Sequence, residues 1–584
     1  MSQAKLMRES KRQLGQFLTP PLIAEAIVRQ LAISPGDVIL EPSLGTGAFV
    51  FALLDALGKR LPPERLMLWT QSNLYGCEID KNMMESFAAK WKARGYGEVP
   101  KQIEQCDFFR WLPPNCNEHA ALNKHLYSKS PLDFFDLIIG NPPFGGSINP
   151  LIQDKLDQIF GVRNNIKIKK ETYAFFLIKC LDILKPGGRL CFICSDTILT
   201  ISTMRGLRYH LQEQCEIQID PVPGQFDETT QRLVLITLVK RNRKPTHLQI
   251  LGSHTRIDDI EATPNLSWRV NSEYARYFKG SNLGDKFVAS SGMTVGRNAI
   301  FIRRIANGRL KEPYRFSYAQ EPITLAREIE KARLGKMSNS RMLAIREHEL
   351  RGDMQRIVCW EKRETPLTIT LPDKDYCFYN KATSAIIYTE PQWAIFWRDN
   401  GEYVYTFKKT GNWYLRGIGG KSYFGREGLT WSLIAPRLYT RWLPPGLILD
   451  SGAPCAFLRP GVERDELFFV MGWTLTNLCT DILKNVINHT RNIQSKDFER
   501  LPYPSWVPPE LKAAAVARTK NLIQQAKAGK KFDMKHPSVM ELNQFYEYQP
   551  DYPSLGTKSS RVYAHHQQRD QKQLPLPTRL TLIS

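Results

Sequence analysis

From Leu22 to Val239 the sequence predicts an α/β fold with a doubly wound sheet, and a less regular region follows it. Three observations carry this prediction. Short apolar runs alternate with helical patterns through that span, as when strands return through crossover helices. Lys185-Pro186-Gly187-Gly188 stops one helical pattern and turns the chain into the next strand. Beyond the basic cluster at 240–245 the alternation is lost, and 584 residues are too many for one core.

Taken in order, Val38–Leu40, Leu74–Cys77, Leu137–Ile139, Arg189–Ser195, Glu216–Ile219 and Leu233–Val239 read as strands. Leu22–Leu31, Ala48–Leu57, Lys81–Lys92 and Thr172–Leu184 read as helices. A first domain is expected over 1–244 and a second, rich in aromatic, Arg and Gly residues, over 245–507. A helical segment and a polar, basic tail, disordered or in loose contact with DNA, fill 508–584. Internal repeats are absent.

The formal charge of +22 and pI near 9.4 point to a polyanion, because neutralising phosphates requires an excess of Lys and Arg. Eleven cysteines without regular spacing argue against a disulfide framework and fit a reduced cytoplasmic setting. Cys191 and Cys194 have the spacing of a metal pair, yet they sit in an apolar run with no second pair, so both read as core residues and no metal is expected. No apolar stretch approaches the roughly 18 residues that a membrane span needs, and residues 1–13 are polar and basic rather than a leader.

The most informative motif is Asn141-Pro142-Pro143-Phe144, set where the buried strand ending at Ile139 and Gly140 should stop. The Asn141 side-chain oxygen and the Pro142 carbonyl are acceptors, and neither proline brings a donor N–H. Two acceptors aimed at one amino group draw its lone pair out of conjugation with a heterocycle and make it a better nucleophile. Phe144 offers a flat face for a base, a contact worth about 1–3 kcal/mol. The bland alternative is a strand end followed by a Pro-Pro turn.

Upstream, Glu41-Pro42-Ser43-Leu44-Gly45-Thr46-Gly47 joins a strand to a helix, and Gly45 and Gly47 let a ligand approach the backbone and the helix N-terminus. A dinucleotide site would carry a third glycine where Val50 stands, so NAD is disfavoured. Glu78 ends the next strand and can accept from both hydroxyls of a ribose, with Ile79 covering an adenine face. Asp107, at another strand–loop junction, can accept from an adenine amino group, with Phe108 beside it. Each acid alone reads more simply as a solvated loop residue; in this order, before Asn141, they describe a nucleoside pocket without a phosphate-binding lysine.

The order Gly15-Gln16-Phe17-Leu18-Thr19-Pro20, the Glu41–Phe49 loop, Glu78, Asp107 and Asn141–Phe144 resembles the gamma-class DNA N6-adenine methyltransferases of restriction-modification and phage-defence systems, including the BREX type. The resemblance covers residues 12–240 closely and 280–504 more loosely. It implies a class I S-adenosylmethionine-dependent methyltransferase fold, a doubly wound, mostly parallel seven-stranded sheet, followed by an α+β target-recognition domain. It also implies S-adenosylmethionine as cofactor and double-stranded DNA as partner, together with any cognate restriction or defence proteins. Phe17 and Thr19 then cap the methionine moiety, Glu41, Pro42, Gly45 and Gly47 form the loop contacts, Glu78 takes the ribose and Asp107 the adenine. Ile79, Phe108 and Asn141 complete the cofactor-binding set. Phe144 stands where many relatives carry Tyr.

A target adenine inside a duplex must be flipped out, at a few kcal/mol. Phe144 and Phe226 are the expected target-base stacking residues, Phe226 by resemblance to a second aromatic of the family. Lys167, Lys169 and Lys170 are candidates for phosphate contact or for a solvated loop. In the second region Trp393, Trp397, Trp413, Trp431 and Trp442 are interleaved with Arg398, Lys408, Lys409, Arg416, Lys421, Arg426, Arg437 and Arg441. Most of the tryptophans read as core, and the basic residues and loop glycines as the better DNA candidates. Ser422–Trp431, Gly292–Phe301 and Asn488–Pro504 are similar to segments of the same relatives. The cationic and acidic residues of 325–356 read as a solvated, salt-bridged helix. The rival readings are a methyltransferase acting on a ribosomal RNA guanine or a protein glutamine, and a non-catalytic DNA-specificity subunit.

Overall fold

The computed structural model of the chain describes residues 17–111, 113, 134–143, 156–163, 166–169, 171–224, 226, 232–241, 243–295, 298–319, 357–409 and 420–547. Phe144, Lys170, Trp413, Arg416, the expected helix within 325–356 and the tail from 548 lie outside the described residues. Two compact units divide the chain, one running to Arg276 and the other beginning at Tyr277.

The first unit is built on a nine-stranded sheet. Its strands are β1 (Ile39–Glu41), β2 (Leu74–Glu78), β3 (Ile103–Gln105), β4 (Phe135–Gly140), β5 (Leu184–Ser195), β6 (Cys215–Pro221), β7 (Leu233–Lys240), β8 (His247–Ile250) and β9 (Ser253–Arg256). Their order across the sheet is β9-β8-β6-β7-β5-β4-β1-β2-β3. Strands β1 to β5 are mutually parallel, and β7 runs antiparallel between β5 and β6. The expected seven-stranded, mostly parallel core is therefore present. Two further strands extend it, because β8 adds in parallel to β6 and turns back into β9. The unit thus runs on past the basic cluster at 240–245 to Arg276.

Helices α1 (Pro21–Gln30), α2 (Ala48–Leu57), α3 (Pro63–Asn73), α4 (Lys81–Ala93), α5 (Thr172–Ile183), α6 (Arg205–Gln212) and α7 (Ile257–Ala262) surround the sheet. Proline at its first position starts α1, where a missing N–H costs nothing, and Ile23, Ala24, Ile27 and Val28 give it a buried stripe. Asp80 caps α4 by accepting from the N–H groups of Asn82 and Met83. Helices α1 to α4 share one apolar cluster, in which Phe49, Val50, Leu53, Phe87 and Trp91 join Ile39, Leu137, Ile139 and Ile193 of the strands. The turn predicted at Lys185–Gly188 bulges out of β5, since Phe135 pairs with Leu184 and Leu137 with Arg189, and Gly187 holds φ 79° there.

The second unit is α+β. One four-stranded sheet joins β10 (Phe287–Ser290), β16 (Gly428–Thr430), β17 (Arg441–Leu443) and β19 (Cys455–Leu458). Another joins β11 (Ile302–Arg304), β14 (Tyr376–Asn380), β15 (Trp393–Phe396) and β18 (Leu447–Leu449). A long ribbon of β12 (Arg309–Ala319) and β13 (Ile357–Thr370) packs Leu310 and Phe316 into the second sheet's core. Helices α8 (Asp465–Thr474) and α9 (Pro509–Lys527) close this unit, and α9 is the helix expected after Pro508.

Candidate functional site

The expected site residues gather at the carboxyl ends of adjacent parallel strands, where open α/β sheets receive ligands. Glu41 is the last residue of β1 and Glu78 the last of β2; Asp107 follows β3 by two residues, and Asn141 follows β4 directly. A Cβ on Gly140 would lie 3.4 Å from the Pro42 ring and 3.5 Å from Ser43 Oγ, so the Glu41 loop and the Asn141 turn are immediate neighbours.

Each acid is tied to backbone. Glu41 is only 2% exposed and accepts from the Val50 N–H at 3.3 Å, in the first turn of α2, where a negative charge meets the positive end of the helix. Burial nevertheless holds its carboxyl well above the ordinary range, and the neighbouring Glu78 adds to the rise. Glu78 accepts from the Gly45 N–H at 2.6 Å and from the Asp80 N–H at 2.8 Å, fastening the glycine loop to β2. Its pKa is also raised, burial outweighing those two bonds. Gly47 caps α2 at φ 82°, and a Cβ there would sit 2.4 Å from the Phe87 ring, so no other residue fits.

Ile79 is 57% exposed at the end of β2, a free apolar face beside Glu78. Asp107 is half-buried and folds its loop by accepting from the Phe109 N–H at 3.0 Å. Phe108 beside it is buried, its ring 4.9 Å from that of Phe176.

Asn141 has a side-chain amide whose orientation is fixed by its neighbours. Its Nδ2 donates to the Phe17 carbonyl at 3.0 Å and to Thr19 Oγ1 at 3.2 Å. A carbonyl only accepts, so the amide nitrogen must face residue 17 and the oxygen must face away. That oxygen, Oδ1, is buried and has no hydrogen-bond partner among the described residues. A buried acceptor left open is costly, by about 1–3 kcal/mol. Such an atom at a strand's carboxyl end is a socket for a donor. Pro142 is buried and Pro143 half-buried behind it.

Thr19 and Phe226 come together in a cavity of about 660 Å³, lined also by Leu18, Thr46, Asp55, Lys90 and Arg94. Glu41, Glu78, Asp107 and Asn141 do not line it. Phe226 packs at the edge of the apolar cluster beneath α1. Of the loop lysines, Lys169 pairs with Glu171 and Lys167 is exposed. Cys191 and Cys194 are buried in β5, and burial pushes the Cys191 thiol up to about 12. Among the described residues no group of three or more His, Cys, Asp or Glu is placed to hold a metal ion, and no helix is long and apolar enough to cross a membrane.

The sequence profile of a family described as Eco57I restriction-modification methylase matches residues 72–219, the span that holds Glu78, Asp107 and Asn141. This region is an Eco57I restriction-modification methylase domain. Over 234 residues, 39% of its length, this chain is 25% identical to "Defense against restriction protein B" of Escherichia phage P1, covering 8% of that protein. It is 28% identical over 200 residues to "Modification methylase CviBIII" of Paramecium bursaria Chlorella virus NC1A, 33% of this chain and 41% of the relative. The chain therefore spans less than half the length of these curated relatives. Among solved structures, a nuclease-deletion mutant of the Type ISP restriction-modification enzyme LlaGI, in complex with a DNA substrate mimic, matches 87% of this chain and 47% of its own at 14% identity and a TM-score of 0.52. That likeness is one of fold, and it extends beyond the methylase domain into the second unit.

In the second unit the expected core tryptophans Trp431 and Trp442 are buried, Trp431 stacked on Phe498 with ring centroids 5.1 Å apart. Several basic residues expected to be free for DNA are instead engaged in the fold. Arg441 is buried and donates to Asn380 Oδ1 and the Lys381 carbonyl, burial pushing its pKa down to about 10. Arg437 donates to Thr480 and Asn477, and Arg398 forms a two-pronged pair with Asp375. Basic residues next to aromatics give the same sequence signal whether the cation reaches solvent or braces the fold. The segments Ser422–Trp431 and Asn488–Pro504 meet, since Trp431 Nε1 donates to the Ile493 carbonyl at 3.2 Å.

The sequence reading missed Lys179. It lies in α5, 1% exposed, with Nζ bonded to the Phe108 and Trp111 carbonyls. The available signal was one cation inside the apolar helix Thr172–Ile183.

Proposed function

We propose that this protein is a site-specific DNA methyltransferase that transfers a methyl group from S-adenosylmethionine to the N6 amino group of a flipped adenine in double-stranded DNA, within restriction-modification or phage defence. The observation that carries the reading is the open, buried Oδ1 of Asn141, oriented by Phe17 and Thr19. An amino group seated there donates one hydrogen to Oδ1 and the other to the Pro142 carbonyl. Its lone pair is then turned out of the ring plane, and positioning supplies most of the acceleration.

The residues present fit the cofactor. Glu78 keeps lone pairs for two ribose hydroxyls while its backbone bonds hold the Gly45 loop in place. Ile79 offers an exposed apolar face for the adenine, and Asp107 an acceptor for its amino group. Burial disfavours the charge of Glu41, and a cation seated nearby would favour its ionised form. When bound, the cofactor supplies a sulfonium-activated methyl group as electrophile. Phe144 and Phe226 stack on the extruded base, and the excess of positive charge on the chain favours the phosphate backbone.

The test incubates the purified protein with labelled S-adenosylmethionine and unmethylated DNA, RNA or a protein extract, and maps the modified group. Label at adenine N6 in duplex DNA is expected. Label confined to RNA or protein would overturn the assignment to DNA, and no transfer to any acceptor would favour a specificity subunit.

A further inference from the structure

Lys179 is buried in the middle of α5, yet among the described residues no carboxylate lies within ion-pairing distance of its ammonium. Its hydrogen bonds run to the loop that carries Asp107. Nζ donates to the Phe108 carbonyl and, at 2.6 Å, to the Trp111 carbonyl, and it lies 4.5 Å from the centre of the Phe108 ring. The loop's own turn bonds, from the Arg110 and Trp111 N–H groups to the Asp107 carbonyl, leave those two carbonyls for the lysine. A second tether, Trp111 Nε1 to Glu104 Oε1 at 2.9 Å, fixes the far end of the loop to β3.

A leucine or methionine would fill the same space without burying a charge. Burial does act against the charge here, lowering the lysine's pKa to about 8. What the ammonium adds is directional: it gathers the carbonyls at 108 and 111 onto one point, which fixes the turn that presents Asp107.

We infer that Lys179 is a positioning residue for the cofactor's nucleobase: it clamps the Asp107–Trp111 loop from beneath and holds Asp107 in its adenine-accepting place. This rests on the proposed cofactor reading. It predicts an effect on cofactor affinity rather than on the transfer step.

Binding of S-adenosylhomocysteine to the full-length protein, measured by isothermal titration calorimetry, tests it together with steady-state kinetics. Lys179→Met is expected to weaken binding at least tenfold and to raise KM for S-adenosylmethionine by a similar factor, with kcat at saturation changed less than threefold. Lys179→Arg, which can reach both carbonyls, is expected to restore binding to within about threefold of wild type. Lys179→Gln keeps a shorter donor and covers the case in which the methionine variant does not fold; it is expected to lose at least threefold. Wild-type affinity in either folded variant lacking the ammonium, or a loss of kcat at unchanged affinity, would overturn the inference. Failure of the wild-type protein to bind S-adenosylhomocysteine would instead overturn the cofactor reading beneath it.

Discussion

Two asparagines, one in each unit, show how differently a buried amide can be used. Asn488 in the second unit is saturated: Nδ2 donates to the Asn492 carbonyl and to Asp497 Oδ2, while Oδ1 accepts from the Thr490 N–H and hydroxyl. Asn141 in the first unit is half satisfied, with both donor bonds made and the buried acceptor open. A closed network stabilises a fold and offers nothing to a ligand; an amide braced on one side and open on the other stores a binding preference. The contrast is sharper than anything in the two sequences, where Asn488 and Asn141 both stand at the ends of apolar segments.

The largest expected effect breaks the open side. Asn141→Ala should lower methyl transfer by about a hundredfold or more, the scale seen when one preorganised catalytic hydrogen-bonding group is removed. S-adenosylhomocysteine binding should survive, so undiminished transfer would sink the mechanism. The matching change on the closed side, Asn488→Ala, should act on stability instead, by about 1–3 kcal/mol, because Asp497 and Thr490 lose partners in a buried place. Chemical denaturation of the full chain reads that loss.

Smaller effects sharpen the comparison. Thr19→Val removes one of the two acceptors that orient the Asn141 amide, and transfer should fall about tenfold, near 1.4 kcal/mol, with Thr19→Ser recovering most of it. Single-turnover rates distinguish this from a change in cofactor affinity. Glu41→Gln should have the mildest consequence for the fold and an opposite sign. The folded-state pKa of Glu41 is raised, so its contribution to stability is greatest below the ordinary carboxylate range and is lost as pH rises through the folded value. The variant should therefore unfold at a higher temperature than wild type at neutral pH, by a margin that shrinks in acid, while cofactor binding weakens. A margin independent of pH would remove Glu41 as its source.

How far the fold was legible depended on how much each element owes to local pattern. Strands β1, β2 and β4 announce themselves because they are buried on both faces and read as apolar runs, and β7 reads as one too although one of its faces is only half-buried. Helix α3 was missed, since only Leu66, Trp69 and Thr70 are buried along it. The β8–β9 hairpin was missed too: Leu248 and Ile250 are its main apolar anchors, and it follows a basic cluster that resembles a linker. At the site, the residue types of Glu41, Glu78, Asp107 and Asn141 were readable from their order. The open oxygen of Asn141 was not, because the amide is oriented by bonds from its nitrogen to Phe17 and Thr19, far away in sequence. Lys179 escaped for the same reason, as its meaning depends on carbonyls that any residue could supply.

Glu78 holds Gly45 and Asp80 by two backbone bonds before any ligand arrives. A loop already fixed in this way has little disorder left to surrender on association. The arrival of a nucleoside ligand should then be limited by encounter and not by rearrangement, and differences in affinity among variants of this loop should be written in how long the ligand stays.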